Sequence, residues 1–285
     1  EELGLEVIGF DLVEPRCQGG PTITGTSVAR SAKVDRCTAD LSQEGALDGA
    51  FDGCDTVIHL AADGRPHADF LSDVLPSNIQ GTYRVLEEAQ RAGVRRVIFA
   101  STNHTQHGAT MQLGSHAGSM DWSRLGSLGG PASLKTSDPL GRAGPDSFYG
   151  VSKICGEAMG YLYARVHRSF EFVALRIGWC LYDRPTDLAG NDCEAYLRST
   201  YLSRRDFRGF LQGALNCDLA KHQGFLIAYA VSRNGLRMFD LKESVEHLGY
   251  NPVDDAEEYY DDAPLGTAPT PRRSVAVAVA GLAAV

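Results

Sequence analysis

Tyr149 and Lys153 stand four residues apart in Ser147-Phe148-Tyr149-Gly150-Val151-Ser152-Lys153, and on a helix that spacing puts a phenol and an ammonium on one face. A free tyrosine has a pKa of roughly 10 and is a poor base near neutrality, whereas a cation held beside it stabilises the phenolate and lowers that value. Tyr149 could then take a proton from an alcohol. That step is productive only if something accepts the hydride left behind, so a dinucleotide site is expected elsewhere in the chain.

A second cluster, Ser101-Thr102-Asn103-His104, follows the apolar run from Val94 to Ala100. It falls at the carboxyl end of an expected parallel strand, where open α/β sheets bind ligands. The Thr102 hydroxyl can hydrogen-bond a substrate oxygen, and Asn103 and His104 can read neighbouring hydroxyls; capping the turn is the other use for all three. His104, His107 and His116 lack metal-ligand spacing, so no metal is expected.

The elements that must carry these groups alternate between strand and helix. A β-branched strand over residues 5 to 12 ends in Asp11-Leu12, where a carboxylate suits an adenosine ribose diol and rejects a 2′-phosphate. That favours NAD over NADP; capping a turn is the alternative, and Arg16 lies nearby. After a Gly/Pro/Ser-rich loop, a short strand ends in Asp40-Leu41, which could meet the adenine edge. Glu44 to Phe51 suggests a short helix. The buried strand from Asp55 then runs into Leu60, Ala61 and Ala62, small enough for backbone to approach a cofactor, with His59 as a core histidine. A helix follows, interrupted near Pro76 and resuming through Asn78 to Gly93.

Residues 109 to 146, with Trp122 among them, form a Gly/Ser-rich insertion without periodicity, either a lid or a mobile loop. The helix bearing Tyr149 should run to about His167, followed by a strand from Phe170 to Ile177, a helix over 207 to 215, a strand over 224 to 230 and a helix over 241 to 248. Arg198, Arg204, Arg205 and Arg208 concentrate positive charge. A solvated face explains such a run, and Arg198 at a cleft mouth would suit a carboxylate or phosphate.

A net charge of −9 across 285 residues excludes nucleic acid and anionic membrane as main partners. Seven cysteines, an odd number without CxxC pairs, suggest reduced thiols and a cytoplasmic location, and no apolar run is long enough to span a bilayer. Glu1 to Leu5 reads as a helix end with Gly4 as its cap, and no GxGxxG-type turn is present. The chain is therefore expected to start inside the first βαβ unit, as a truncated sequence or as a protein without a pyrophosphate cradle.

Taken in order, His59-Leu60-Ala61-Ala62-Asp63, Asn78-Ile79-Gln80-Gly81-Thr82, Ser101-Thr102-Asn103-His104, Tyr149-Gly150-Val151-Ser152-Lys153, Leu175-Arg176-Ile177-Gly178 and Tyr201-Leu202-Ser203 with Arg205-Asp206 resemble the extended short-chain dehydrogenase/reductases, the NAD-dependent epimerase/dehydratase family. Within it the resemblance is nearer to uronate dehydrogenases and related NAD-dependent sugar or sugar-phosphate dehydrogenases. It implies an α/β Rossmann-like doubly wound parallel sheet, N-terminally truncated, over residues 1–178. A small substrate-binding portion over 179–260 and a disordered tail over 261–285 would complete the chain.

By that resemblance Tyr149 is the catalytic base, Lys153 its electrostatic partner and a ligand of the nicotinamide ribose, and Thr102 the hydroxyl orienting the reacting oxygen. Asp11, Leu12, Asp40, Leu41, Leu60, Ala61 and Ala62 would line the adenosine half of NAD, Asn103 and His104 would meet sugar hydroxyls, and Arg198 would hold an anion. Trp179 stands where a small or polar substrate contact is expected. The implied reaction is NAD-dependent oxidation of a hexuronate or related aldose at C1 to a lactone, in a homodimer. Other readings are a sugar-phosphate dehydrogenase, which the arginines suit, a nucleotide-sugar epimerase or dehydratase, which the short stretch after Lys153 disfavours, and a binding protein that keeps the fold without turnover.

Overall fold

The computed structural model describes residues 8–11, 35–65, 67–106, 144–180, 194–235 and 237–260. Leu12, His107, His116, Trp122, most of the 109–146 insertion and the 261–285 tail lie outside these residues, and of Asp11 only the backbone is described.

Among the described residues, six parallel strands form two hydrogen-bonded sheets. β1 (Ile8–Asp11) pairs with β2 (Asp35–Thr38), while β3 (Thr56–His59), β4 (Arg96–Thr102), β5 (Glu171–Ile177) and β6 (Phe225–Ala230) lie side by side in that order. The all-parallel pairing explains the continuous apolar runs in β4 and β5, because both faces of the larger sheet are covered. Neighbouring residues enter opposite cores. Val97, Phe99, Phe172 and Ala174 meet Leu86 and Ala89 on one face; Ile98, Val173 and Leu175 meet Phe210, Tyr229 and Phe239 on the other.

Helices cover the two faces. A wide-turn (π) segment, Phe70–Gln80, runs without a break into α1 (Gly81–Arg91), and α2 (Phe148–Tyr161) packs beside it. On the far side lie α3 (Glu194–Thr200), α4 (Arg204–Asn216) and α5 (Lys242–Leu248). Ser147 caps α2 by accepting a hydrogen bond from the Gly150 N–H at 3.2 Å, and Ser203 caps α4 through the Asp206 N–H at 3.0 Å.

Two local expectations are corrected, and one element is added. Glu44 to Phe51 is a series of turns, because Gly45, Gly49 and Gly53 adopt φ of +75°, +74° and +75°, a left-handed conformation that stops a helix each time it starts. Pro76 does not interrupt its helix: the chain takes the wider π turns through it and continues. Arg198 lies within α3, a seven-residue helix that the apolar pattern did not reveal.

The seating of α2 depends on small residues. A Cβ at Gly156 would lie 2.4 Å from the Phe99 ring, and one at Gly160 would lie 2.2 Å from the Phe172 ring. Both rings belong to central strands that the core holds in place, so they cannot retreat cheaply. Gly160→Ala should therefore destabilise the protein by about 1–3 kcal/mol, read as a lower urea midpoint, despite alanine's better helix propensity.

Candidate active site

Two chain segments build the site, the end of β4 with its following turn and the first turns of α2. The β4–β5 register places Ser101 beside Arg176 and Thr102 beside Ile177, and the Asn103 N–H donates to the Ile177 carbonyl at 3.0 Å. Beneath the site, Glu157 on α2 accepts two hydrogen bonds from Arg176 on β5, at 2.8 and 2.7 Å, and a third from the Ser101 hydroxyl at 2.5 Å. Both ionised side chains are fully buried. Burial acts against the Arg176 charge, but the hydrogen bonds and charge of Glu157 prevail and raise its pKa above the usual arginine value.

Asn78 makes a second tie. Its side-chain oxygen accepts from the Asp63 N–H at 2.7 Å, and its amide donates to the Asp63 carbonyl at 2.9 Å and to Ser152 Oγ at 3.1 Å. Ser152 donates in turn to the Tyr149 carbonyl at 2.7 Å. The turn after β3 and the helix carrying Tyr149 are thus held by one buried amide.

Thr102, Tyr149 and Lys153 converge on this frame. Thr102 is buried, its hydroxyl donates to Asn103 Oδ1 at 3.3 Å, and its side chain acts on the half-buried Tyr149 phenol. Lys153 Nζ sits 5.7 Å from the centre of the Tyr149 ring and 4.9 Å from that of Phe99. The electrostatics differ from expectation. Burial raises the Tyr149 pKa, opposed by the Thr102 side chain and assisted by Cys180 and Asp146, while burial pulls Lys153 down to about 7. The expected lowering of the phenol's pKa is absent because burial of Tyr149 outweighs the groups that favour its ionised form. His59, also buried, is held down to about 3 by desolvation and by Lys153, so it stays neutral; its Nε2 lies 3.0 Å from Thr82 Oγ1.

The remaining expected residues divide. His104 joins the site: its N–H donates to Thr102 Oγ1 at 3.3 Å, its Nδ1 lies 2.8 Å from Asp146 Oδ2, and its ring meets Tyr149 edge-on. Asn103 is buried, and its amide donates to the Tyr196 hydroxyl. Leu60, Ala61 and Ala62 form an exposed stretch just past β3. The Asp40 carboxylate accepts from the Ser42 N–H at 2.9 Å, and its pKa is lowered chiefly by Ser42; the Leu41 carbonyl accepts from Arg84 at 3.0 Å. Arg198 is buried, ion-paired with Glu257, and stacked with its guanidinium carbon 3.9 Å from the centre of the Tyr260 ring. Arg205 pairs with Asp254. Among the described residues no group of three or more His, Cys, Asp or Glu could hold a metal ion. Sequence reasoning missed Asp146, Tyr196 and the Glu157–Arg176 pair. Glu157 carried one available signal, its place one turn beyond Lys153 on the same helix face.

Residues 8–179 match the NAD dependent epimerase/dehydratase family. The chain belongs to that family. The L-arabinose 1-dehydrogenase (NAD(P)(+)) of Haloferax volcanii is 37% identical over 227 residues, covering 78% of this chain and 84% of the relative. The NAD-dependent glucose-6-phosphate dehydrogenase of the same organism is 30% identical, covering 81% and 80%. Among solved structures, the glucuronic acid dehydrogenase of Chromohalobacter salexigens superposes with a TM-score of 0.62 at 27% identity, covering 89% of this chain and 77% of that one. This epimerase/dehydratase family member is an NAD-dependent enzyme with a Rossmann-like parallel sheet.

The side chains present fit that cofactor. Lys153 offers a cation beside the Tyr149 phenol, and the exposed, small Ala61 and Ala62 past β3 leave backbone open to a flat ligand. Two measurements test the frame. Arg176→Met leaves Glu157 charged and buried without its partner and should cost about 3–5 kcal/mol in urea unfolding. For Lys153 the folded pKa lies below the unfolded one near 10.4, so the unfolded chain binds more protons between pH 7 and about 10. The stability of the protein relative to Lys153→Met should therefore rise with pH across that window.

Proposed function

We propose that this sugar dehydrogenase oxidises an aldose or hexuronate at C1 to the lactone. The observation that carries the reading is the meeting of Thr102, at the carboxyl end of a parallel strand, with Tyr149 and Lys153 on the helix packed against it. A sugar hydroxyl placed between the threonine and tyrosine oxygens would be oriented by Thr102 and deprotonated by Tyr149. NAD, when bound, would supply the acceptor for the C1 hydride. Tyr149 must be the phenolate before it accepts the sugar's proton, and its negative charge would raise the proton affinity of Lys153, so the two groups titrate as a pair.

Arg198 bears on the choice of sugar. Its charge is matched by Glu257 and its face is covered by Tyr260, which favours a neutral aldose over an anionic one at that position. The names of the relatives support both classes, with L-arabinose on the neutral side and glucose 6-phosphate and glucuronic acid on the anionic side. The reading keeps the enzyme cytoplasmic and includes a homodimer, supported by Tyr83, Phe148, Val151 and Tyr161, which are exposed on α1 and α2. Among the described residues no helix is long and apolar enough to cross a membrane.

The test is NADH formation with L-arabinose, galacturonate, glucuronate and glucose 6-phosphate. Turnover of at least one, lost by about a hundredfold or more in Tyr149→Phe with NAD affinity retained, is the expected result. Silence with all four sugars, or undiminished turnover in Tyr149→Phe, would overturn the reading.

A further inference from the structure

We propose that Asn103 is a positioning residue that holds the proton of the Thr102 hydroxyl away from the sugar until negative charge develops there, with Tyr196 on α3 fixing the direction of its amide. The proposal rests on the dehydrogenase reading for the sugar and on the hydrogen bonds of the turn after β4 for the rest. It gives Asn103 to Thr102, in place of the sugar hydroxyl implied by the family resemblance.

Asn103 and Tyr196 are only 3% and 2% exposed. The Asn103 main chain is pinned on both sides, its N–H donating to the Ile177 carbonyl at 3.0 Å and its carbonyl accepting from the Gln106 N–H at 2.9 Å. Its side chain spans two hydroxyls: the amide nitrogen donates to Tyr196, and the amide oxygen accepts from Thr102 at 3.3 Å. Tyr196 is itself seated, because its ring belongs to the core that holds Leu175 and Leu202, and its carbonyl accepts from the Ser199 and Thr200 hydroxyls at 2.7 and 3.0 Å. With the amide nitrogen drawn toward α3, the amide oxygen faces Thr102, and a carbonyl oxygen can only accept. The Thr102 proton therefore points at Asn103. Thr102 Oγ1 also accepts from the His104 main-chain N–H at 3.3 Å, so the hydroxyl is directed on two sides.

This arrangement separates binding from turnover. At 3.3 Å the bond to the amide oxygen is long for a hydroxyl donor, so the proton is held loosely. While the C1 hydroxyl of the sugar is neutral, the amide oxygen keeps that proton. As Tyr149 removes the sugar's proton, the C1 oxygen gains negative charge and becomes the stronger acceptor, and the Thr102 hydroxyl turns to it. The new hydrogen bond is then made in the transition state and not in the bound ground state, which raises kcat without tightening the sugar. Freed from the amide, Thr102 would donate to the sugar in both states, and the advantage would be lost.

Two readouts test this. The first is the NMR spectrum of the full chain without sugar, with the side-chain amide resonances of Asn103 assigned by their loss in Asn103→Ala. They should move in Tyr196→Phe and again in Thr102→Val; resonances unmoved by either change would overturn the bridge. The second is steady-state kinetics with the best of the four sugars above. Tyr196→Phe, which frees the amide to turn, and Asn103→Ala, which removes it, should each lower kcat and the sugar KM together by about threefold to tenfold, leaving kcat/KM within about threefold. A raised KM, as for a sugar contact, a larger fall in kcat/KM, as for a merely structural residue, or no change in either constant would overturn the proposal. Silence with all four sugars defeats the dehydrogenase reading, and the spectrum still decides whether Asn103 joins Thr102 to Tyr196.

Discussion

The buried ion pair between Glu157 and Arg176 is the interaction on which the site depends, because it ties the catalytic helix to the strand beside the one bearing Thr102. Ser101 completes it from β4, so three elements meet on one carboxylate directly under the reacting groups. Such a pair adds little net stability over an apolar substitute, since desolvation offsets much of the attraction. Its effect is geometric: the donors must sit where the carboxylate oxygens are, which sets how far α2 is advanced along the sheet. Tyr149 and Lys153 then reach Thr102 as a consequence.

The glycines of α2 make that arrangement sterically possible. Gly156 and Gly160 allow the helix backbone to lie against Phe99 and Phe172, and Gly150 allows its first turn to lie against the His104 carbonyl. The polar ties are short-range and would be lost if side chains held the helix away from the sheet. Close packing and buried hydrogen bonding are thus two conditions for one geometry.

Desolvation is the cost of that closeness, and it shapes the chemistry. Lys153 loses much of its preference for the charged form, Tyr149 loses ease of ionisation, and His59 is kept neutral. A site in this condition is primed to respond, because charge appearing on one member changes the proton affinity of the other far more than it would in water. Asp146 and His104 sit at the edge of the same region.

Much of this was legible in the chain itself. The four-residue spacing of Tyr149 and Lys153, the apolar runs of β4 and β5, and the polar cluster ending β4 are local patterns, and local patterns determine element type and helix face. They placed Thr102 at a strand end and the phenol and ammonium on one side of a helix, and they pointed to a parallel α/β sheet and an NAD-linked reaction. Local pattern misled where backbone conformation decided, as with the left-handed glycines from 45 to 53 and the π turns through Pro76. Only the tertiary structure decided which charges meet across the fold: Arg198 with Glu257, Arg176 with Glu157, His104 with Asp146. It alone decided the direction of the pKa shifts as well. The reason is that partner choice and burial depend on residues 19 to 59 positions apart, whose proximity is set by packing and leaves no periodic trace in the sequence.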